Sequence, residues 1–347
     1  MRPDRPAGPA DPDPAPADPG SRPSPGRPAS TARPTSTTTS AQPGTVSLRG
    51  LTKRFGTVTA VDDLTVDVLP GRVTGFLGPN GAGKTTTLRM LLGLASPTSG
   101  TATISGRRYQ SIDRPLREVG AALEATSFHP GRSGLDHLRT YAPYAGADDA
   151  RCHELLEQVG LQAAGRRRAG GYSLGMRQRL ALATTLLGDP QVLLLDEPAN
   201  GLDPEGIRWL RGFLRHLAAQ GKTVLVSSHM LSEVQQSVDD VVIIGQGRLV
   251  HSSSMAELSA LAAPRVAVVS PDAAGLARLA ADQGWQVSSQ APDGGALEVE
   301  VDHVSTAQVG AAAFAAGVEL HTLMDRTDSL EDLFLRLVQP TTKGAAA

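Results

Sequence analysis

One stretch of the sequence has residue types and a spacing suited to binding phosphate groups. It follows the pattern G-x-x-x-x-G-K-T and consists of Gly78, Pro79, Asn80, Gly81, Ala82, Gly83, Lys84 and Thr85. Glycines let the backbone turn tightly, so that successive N–H groups point inward and surround an anion. Lys84 adds a positive charge for the β- and γ-phosphates of a nucleotide, and the Thr85 hydroxyl can bind Mg²⁺. The sequence therefore predicts a P-loop.

The residues on either side of this loop fit the same interpretation. The apolar run Arg72 to Leu77 predicts a short strand ahead of the loop, and Thr86 to Leu92 predict a helix behind it. The N-terminus of that helix would face the phosphates, where its dipole stabilises negative charge. We therefore include Thr86 among the predicted nucleotide-binding residues.

A pair of acidic residues follows a second apolar run. Gln191 to Leu195 is typical of a buried parallel strand, and it is followed at once by Asp196 and Glu197. Two adjacent carboxylates are costly to bury unless a cation or a proton transfer uses them. A solvated loop pair is the alternative, but a P-loop in the same chain favours Mg²⁺ binding and general-base chemistry.

Two further polar residues follow predicted strands. Lys222 to Ser228 predict a buried strand that ends at His229, where a contact with a γ-phosphate is credible. Glu124 follows the strand ending at Val119 to Leu123. Parallel sheets place active groups at such strand ends.

Phe55 and Ser173 are the remaining candidates. Phe55 lies in a turn-like Arg-Phe-Gly, where it could stack on a base or simply pack in the core, and the residues alone favour neither. Ser173 is a predicted N-cap, and a helix start with Ser173 and Gly175 is a second potential phosphate site. We interpret the charge run Arg166 to Arg168 as a solvated end of a helical segment.

The composition limits the classes of protein that are possible. The chain has 347 residues and a net charge of −2, which gives no overall electrostatic argument for a nucleic acid partner. Its single cysteine, Cys152, excludes an internal disulfide framework and fits a reducing cytoplasm. No apolar run approaches the roughly 20 residues that span a bilayer, and the N-terminus has no apolar signal segment.

Changes in composition predict the domain organisation. Residues 1–44 are rich in Pro, Ala, Ser and Thr and predict a disordered tail. Residues 45–260 predict an α/β nucleotide-binding domain with a helical insert at about 125–176. Residues 261–340 show a βαββαβ order, which suggests a small ferredoxin-like α+β domain, and 341–347 form a tail.

Together these motifs resemble one family in their order and spacing. The chain is similar to the ATP-binding subunits of ABC transporters, and among them to the ABC-2-type ATPases of drug and antibiotic export. The resemblance covers about Val46 to Leu258. It implies a P-loop NTPase fold with a RecA-like core, an antiparallel β subdomain and a helical subdomain.

The resemblance also implies a role for each matching residue. Gly78 to Thr85 look like Walker A, Val192 to Asp196 look like Walker B, and Glu197 matches the catalytic carboxylate. Phe55 matches the aromatic that stacks on adenine. His229 resembles the switch histidine. Lys84 and His229 would assist Glu197, while Thr85, Asp196 and Glu124 would bind Mg²⁺.

The signature loop of the family would act across a dimer. Ser173-Leu174-Gly175-Met176 takes the place of the usual Ser-Gly-Gly-Gln, and Asn200 to Asp203 resemble the D-loop. In the family, ATP is sandwiched between two subunits, so Ser173, Gly175 and Asp203 would contact ATP bound by the partner. A second departure is Glu124, which stands where the family has the Q-loop glutamine.

The function implied is a Mg²⁺-dependent ATPase that powers export of a small molecule. Its partners would be a second copy of the chain and a separate membrane permease, with no nucleic acid. It would lie in the cytoplasm, at the inner face of the membrane. Two alternatives are a non-transport ABC protein acting on ribosomes or DNA, and a nucleotide sensor without turnover. A single cassette without heptad coiled coils disfavours the first, and Glu197 disfavours the second.

The departure at Glu124 yields a prediction. A carboxylate near the γ-phosphate, Asp196 and Glu197 adds repulsion that only the cation offsets. Metal-free ATP should therefore bind markedly more weakly than Mg-ATP, and Glu124→Gln should narrow that difference while hydrolysis continues. Titration of both proteins with ATP in EDTA and in Mg²⁺ measures the effect. An unchanged Mg²⁺ dependence in Glu124→Gln would show that Glu124 points away from the metal.

Overall fold

The computed structural model describes most of the chain. The described ranges are 42–123, 128–261, 264–285, 297–302, 304–327 and 330–338. Its strands are β1 (Val46–Phe55), β2 (Val58–Val68), β3 (Val73–Leu77), β4 (Ser99–Ile104), β5 (Val119–Ala122), β6 (Val192–Asp196), β7 (Thr223–Ser228), β8 (Asp240–Gly245), β9 (Arg248–Ser254), β10 (Pro264–Ser270), β11 (Leu297–Asp302) and β12 (Thr322–Thr327).

The helices lie between these strands. They are α1 (Lys84–Leu91), α2 (Pro115–Glu118), α3 (Gly134–Ala145), α4 (Asp149–Gln158), α5 (Leu174–Thr185), α6 (Pro204–Ala219), α7 (Leu231–Val234), α8 (Met255–Leu261), α9 (Ala273–Gln283), α10 (Thr306–Ala316) and α11 (Leu330–Val338). Within the described ranges, no helix is both long and apolar enough to cross a membrane.

A mostly parallel sheet forms the centre, in the strand order β5-β6-β7-β3-β8-β9. All neighbours pair in parallel except β8 and β9, which form an antiparallel hairpin. The apolar runs Arg72 to Leu77 and Gln191 to Leu195 contain β3 and β6, which are apolar because both faces of the sheet are covered. In β6, Val192 and Leu194 pack in one core, whereas Leu193 and Leu195 pack in the other. The predicted α/β class is confirmed.

The two faces of this sheet carry different layers. On one face lies a core shared with α1 and with a three-stranded antiparallel sheet, in the order β2-β1-β4. The other face packs against α3 to α6. The P-loop lies between β3 and α1, as the flanking residues predict.

The helical segment ends earlier than the sequence pattern indicates. Its helices α3 and α4 are capped by Ser133 and Asp148, but α4 stops at Gln158, and the chain then continues in turns. Gly160 follows with a φ of 70°, which a helix cannot continue. The run Arg166–Arg168 is exposed in the following loop, in agreement with a solvated role.

The C-terminal residues form a second, small core. Here β10 pairs antiparallel with both β11 and β12, and α9 and α10 pack on Val266 and Val268. The sequence pattern predicts two further strands here, at 285–289 and at 318–324. The first falls almost wholly outside the described residues, so the βαββαβ order stays a prediction. The second begins only at Thr322, and before it the Glu319 carbonyl oxygen accepts a hydrogen bond from the Ser270 hydroxyl at 2.6 Å.

Candidate functional site

Parallel strands bring the predicted residues to one edge of the sheet. Leu77 pairs with Ser228, and Asp196 pairs with Ser227, so β3, β6 and β7 end side by side. The P-loop, the acidic pair and His229 all follow these ends directly. Glu124, which the sequence predicts at this edge, lies outside the described residues.

The shape of the P-loop requires glycine at two positions. A Cβ on Gly78 would lie 2.5 Å from the Ile244 carbonyl oxygen, and one on Gly83 would lie 2.4 Å from the Ala60 carbonyl oxygen. Gly83 also has a φ of 104°, in the region that favours glycine. Strands β2 and β8 therefore hold the loop closely from two sides.

Lys84 lies inside this loop, with only 5% of its surface exposed. Its Nζ donates to the carbonyl oxygens of Gly78 at 2.6 Å and Pro79 at 3.3 Å. The same Nζ lies 3.6 Å from Glu197 Oε1. Burial lowers the pKa of Lys84, and the charges of Glu197 and Asp196 act against that shift. An ammonium held here can neutralise negative charge at the mouth of the loop.

Asp196 is joined to the P-loop helix and to the neighbouring strand. The Thr85 hydroxyl donates to Asp196 Oδ2 at 2.7 Å, and the Ser227 hydroxyl donates to Oδ1. Hydroxyl and carboxylate oxygens are the ligands that Mg²⁺ prefers, and Mg²⁺ usually keeps several other positions for water and phosphate. The described residues contain no cluster of three or more acidic, histidine or cysteine side chains arranged for a metal.

Glu197 is held by contacts on several sides. Its backbone has a φ of 47°, and its N–H donates to the Ser227 hydroxyl at 3.0 Å. One carboxylate oxygen, Oε2, accepts a hydrogen bond from Asn200 Nδ2 at 2.5 Å and lies 3.2 Å from His229 Nδ1. The side chain is 24% exposed, so water can reach it. A fixed carboxylate in contact with water is suited to act as a general base.

Two supporting residues were not predicted from the sequence. Ser227 binds both members of the acidic pair, and Asn200, which the sequence placed only in the D-loop, binds Glu197. The sequence feature that could have identified Ser227 is a polar residue near the end of an otherwise apolar strand, β7, which pairs with β6. The partner of Asn200 depends on the turn after β6 and has no clear sequence signal.

The signature and D-loop residues occupy a different place. Ser173 caps α5 by accepting from the Met176 N–H, and Asp203 caps α6 by accepting from the Gly206 N–H at 2.7 Å. Gly175 lies at the same helix start, beside Leu202. Among the described residues, no hydrogen bond or ion pair joins Ser173 or Asp203 to the P-loop or to Glu197.

Phe55 ends β1 with 54% of its surface exposed, which disfavours simple core packing. The Lys53 ammonium lies 4.8 Å from the centre of its ring. Phe55 is therefore largely exposed, with Lys53 over its ring, in the hairpin that leads to Ala60 and the P-loop.

Comparisons with known proteins identify the family and several relatives of this chain. Residues 61–200 match the family described as ABC transporter, and residues 264–331 match a domain of unknown function, DUF8746. The uncharacterized ABC transporter ATP-binding protein YdbJ of Bacillus subtilis is 34% identical over 83% of this chain and 94% of its own length. The bacitracin transport ATP-binding protein BcrA of Bacillus licheniformis is 44% identical over 58% of this chain and 67% of its own. A solved ATP-binding subunit of an ABC transporter has a TM-score of 0.57 and 26% identity, over 62% of this chain and 92% of its own.

The position of Ser227 yields a prediction. Ser227→Ala should lower the rate of Mg-ATP hydrolysis by about tenfold or more, because hydrogen bonds to charged groups are among the strongest. Steady-state ATPase assays measure the rate. Ser270→Ala is the matched control, since Ser270 is equally buried and its hydroxyl also donates a hydrogen bond, but in the C-terminal core. A Ser227→Ala enzyme as fast as the control would contradict the role of this hydroxyl.

Proposed function

This chain belongs to the family of ABC transporter ATP-binding proteins, which are ATPases that work with a membrane permease, and from that premise we propose its mechanism. Two copies of the chain bind Mg-ATP between them and power the export of a small molecule. The observation that carries the proposal is the meeting of Lys84, Asp196, Glu197 and His229 at one sheet edge. The name of BcrA, a bacitracin transport protein, supports an antibiotic or a similar compound as the cargo.

Binding of ATP uses the P-loop. Backbone N–H groups of the P-loop and of the start of α1, together with the Lys84 ammonium, face the β- and γ-phosphates, and the largely exposed Phe55 stacks on adenine. The oxygen ligands of Thr85 and Asp196 fit Mg²⁺, with Glu124 a third candidate ligand. When bound, Mg²⁺ neutralises charge on the phosphate oxygens.

Hydrolysis uses the fixed carboxylate. Glu197 orients the attacking water and accepts its proton, while Lys84 stabilises negative charge on the transferred phosphoryl group. His229 and Asn200 hold the Glu197 carboxylate, and His229 also reaches the γ-phosphate. Ser227 keeps both acidic residues in register with β7.

The second copy supplies the signature residues. The starts of α5 and α6 hold Ser173, Gly175 and Asp203. Among the described residues, no hydrogen bond joins Ser173 or Asp203 to the P-loop of the same copy. The N-terminus of α5 favours an anion, and Leu174 beside it is exposed. These residues therefore complete the ATP site of the partner copy.

The permease has a suitable surface on the helical side. Leu94, Leu123, Phe128 and Tyr141 line an apolar groove of about 350 Å³ between the central sheet and α3. Burial and the charge of Arg132 lower the pKa of His137, which also lines the groove, to about 4, so its ring is neutral at physiological pH. A groove without charge suits an apolar cytoplasmic segment of a permease, which would hold the chain at the inner face of the membrane.

Glu197→Gln tests the mechanism and the dimer together. It should keep ATP binding, lose turnover by roughly 10²-fold or more, and trap the ATP-bound dimer. Light scattering in Mg-ATP should then show twice the mass of one chain. Glu205→Gln, which neutralises an exposed acid on α6, should behave as wild type. Wild-type turnover in Glu197→Gln would refute the base, and a monomer at saturating ATP would refute the homodimer.

The groove gives a separate test. Leu94 is 69% exposed, so Leu94→Asp should leave ATP hydrolysis by the isolated chain unchanged. It should, however, place a charge in the groove and prevent co-purification with a co-expressed permease. Phe314→Asp, at an exposed site on α10, is the control and should co-purify normally. Normal co-purification of Leu94→Asp would place the permease elsewhere.

A further inference from the structure

The last helix of the chain leaves the C-terminal core and packs on the ATP-binding core. Leu333 and Phe334 of α11 are buried in the large cluster that also contains Leu231 and Val234 of α7. Beyond α7, α11 also contacts α8, β8 and β9. Only residues 328 and 329 separate it from β12, so the C-terminal sheet and this helix are closely linked.

The helix that α11 contacts comes directly after the switch histidine. Only Met230 separates His229 from α7, which has just four residues. A single helical turn is not stable by itself, so the position of α7 depends on what it packs against. Part of that packing surface is α11.

A hydrogen bond connects α7 to Ser228, the residue before His229. The Ser228 hydroxyl donates to Glu233 Oε2, within α7, at 2.7 Å, and it also accepts from the Met230 N–H at 3.1 Å. The residues on both sides of His229 are thus tied to α7. A shift of α7 would move the His229 ring relative to Glu197 Oε2, which lies 3.2 Å away.

We propose that α11 positions the switch histidine, with Leu333 and Phe334 as positioning residues. The C-terminal unit, formed by β10 to β12 with α9 and α10, then sets the rate of ATP hydrolysis without setting ATP affinity. The inference rests on the role proposed above for His229. The P-loop is held by contacts to Ala60 and Ile244, and Ile244 packs in a different core cluster from Leu333 and Phe334. A structural change in the C-terminal unit would reach the catalytic edge through β12, α11 and α7.

Point variants test this better than removal of the helix. Val338, at the end of α11, lies near Gly245, and residues that follow Gly245 support the P-loop. Removal of the helix would therefore disturb the P-loop as well. Phe334→Ala should lower kcat about tenfold, because small displacements of reacting groups have large effects on rate. The KM for ATP should stay within about twofold of wild type. Phe334→Leu, which keeps an apolar side chain, should recover most of kcat. The control is Leu335→Ala, since Leu335 is exposed on the same helix.

A double-mutant cycle separates positioning from general loss of stability. If α11 acts through His229, then Phe334→Ala should cause no further loss of kcat in a His229→Ala background. Losses that multiply, or a change in KM alone, would overturn the proposal. If Phe334→Ala does not fold, Leu333→Val takes its place in the same cycle, with a smaller loss of kcat. If His229→Ala keeps the wild-type kcat, the role of the histidine is refuted. If His229→Ala loses kcat but the α11 variants keep the wild-type kcat, only the role of α11 is refuted.

Discussion

The charge balance around the buried Lys84 ammonium is the constraint on which the rest of the site depends. Its carbonyl contacts close the P-loop, and its charge faces Glu197 and Asp196. Without a cation at this point, two neighbouring carboxylates would repel each other in a partly buried place. The fold must therefore hold one loop and two strand ends in a fixed relation.

The parallel sheet meets that requirement by register. Leu77 is opposite Ser228, and Asp196 is opposite Ser227. Strand pairing alone therefore brings the functional residues at the ends of three strands to one place. Close packing of β2 and β8 against Gly83 and Gly78 fixes the loop from the remaining sides. The site is thus placed by backbone register, and side chains such as Ser227 and Asn200 then hold its two carboxylates.

Much of this arrangement could be predicted from the sequence, since apolar runs identify buried parallel strands and the residues after them must share an edge. The meeting of Thr85, Asp196 and Glu197 at one edge follows from that rule. Ser227 and Asn200 could not be assigned partners, because those partners depend on register and on a turn after β6. The amphipathic pattern of α11 predicted a helix but not which core would receive it, since pattern shows that a face is buried and not against what.

The contact between Leu174 and Gly201 limits how this signature can be exchanged with others. A Cβ on Gly201 would lie only 2.1 Å from Leu174 Cδ2, so the leucine occupies the space that a side chain at position 201 would need. Gly201 also has a φ of 71°, which favours glycine whatever the space beside it. A chain that carries Leu174 in its signature therefore depends on glycine at position 201 for two separate reasons, the backbone conformation there and the room that the leucine fills.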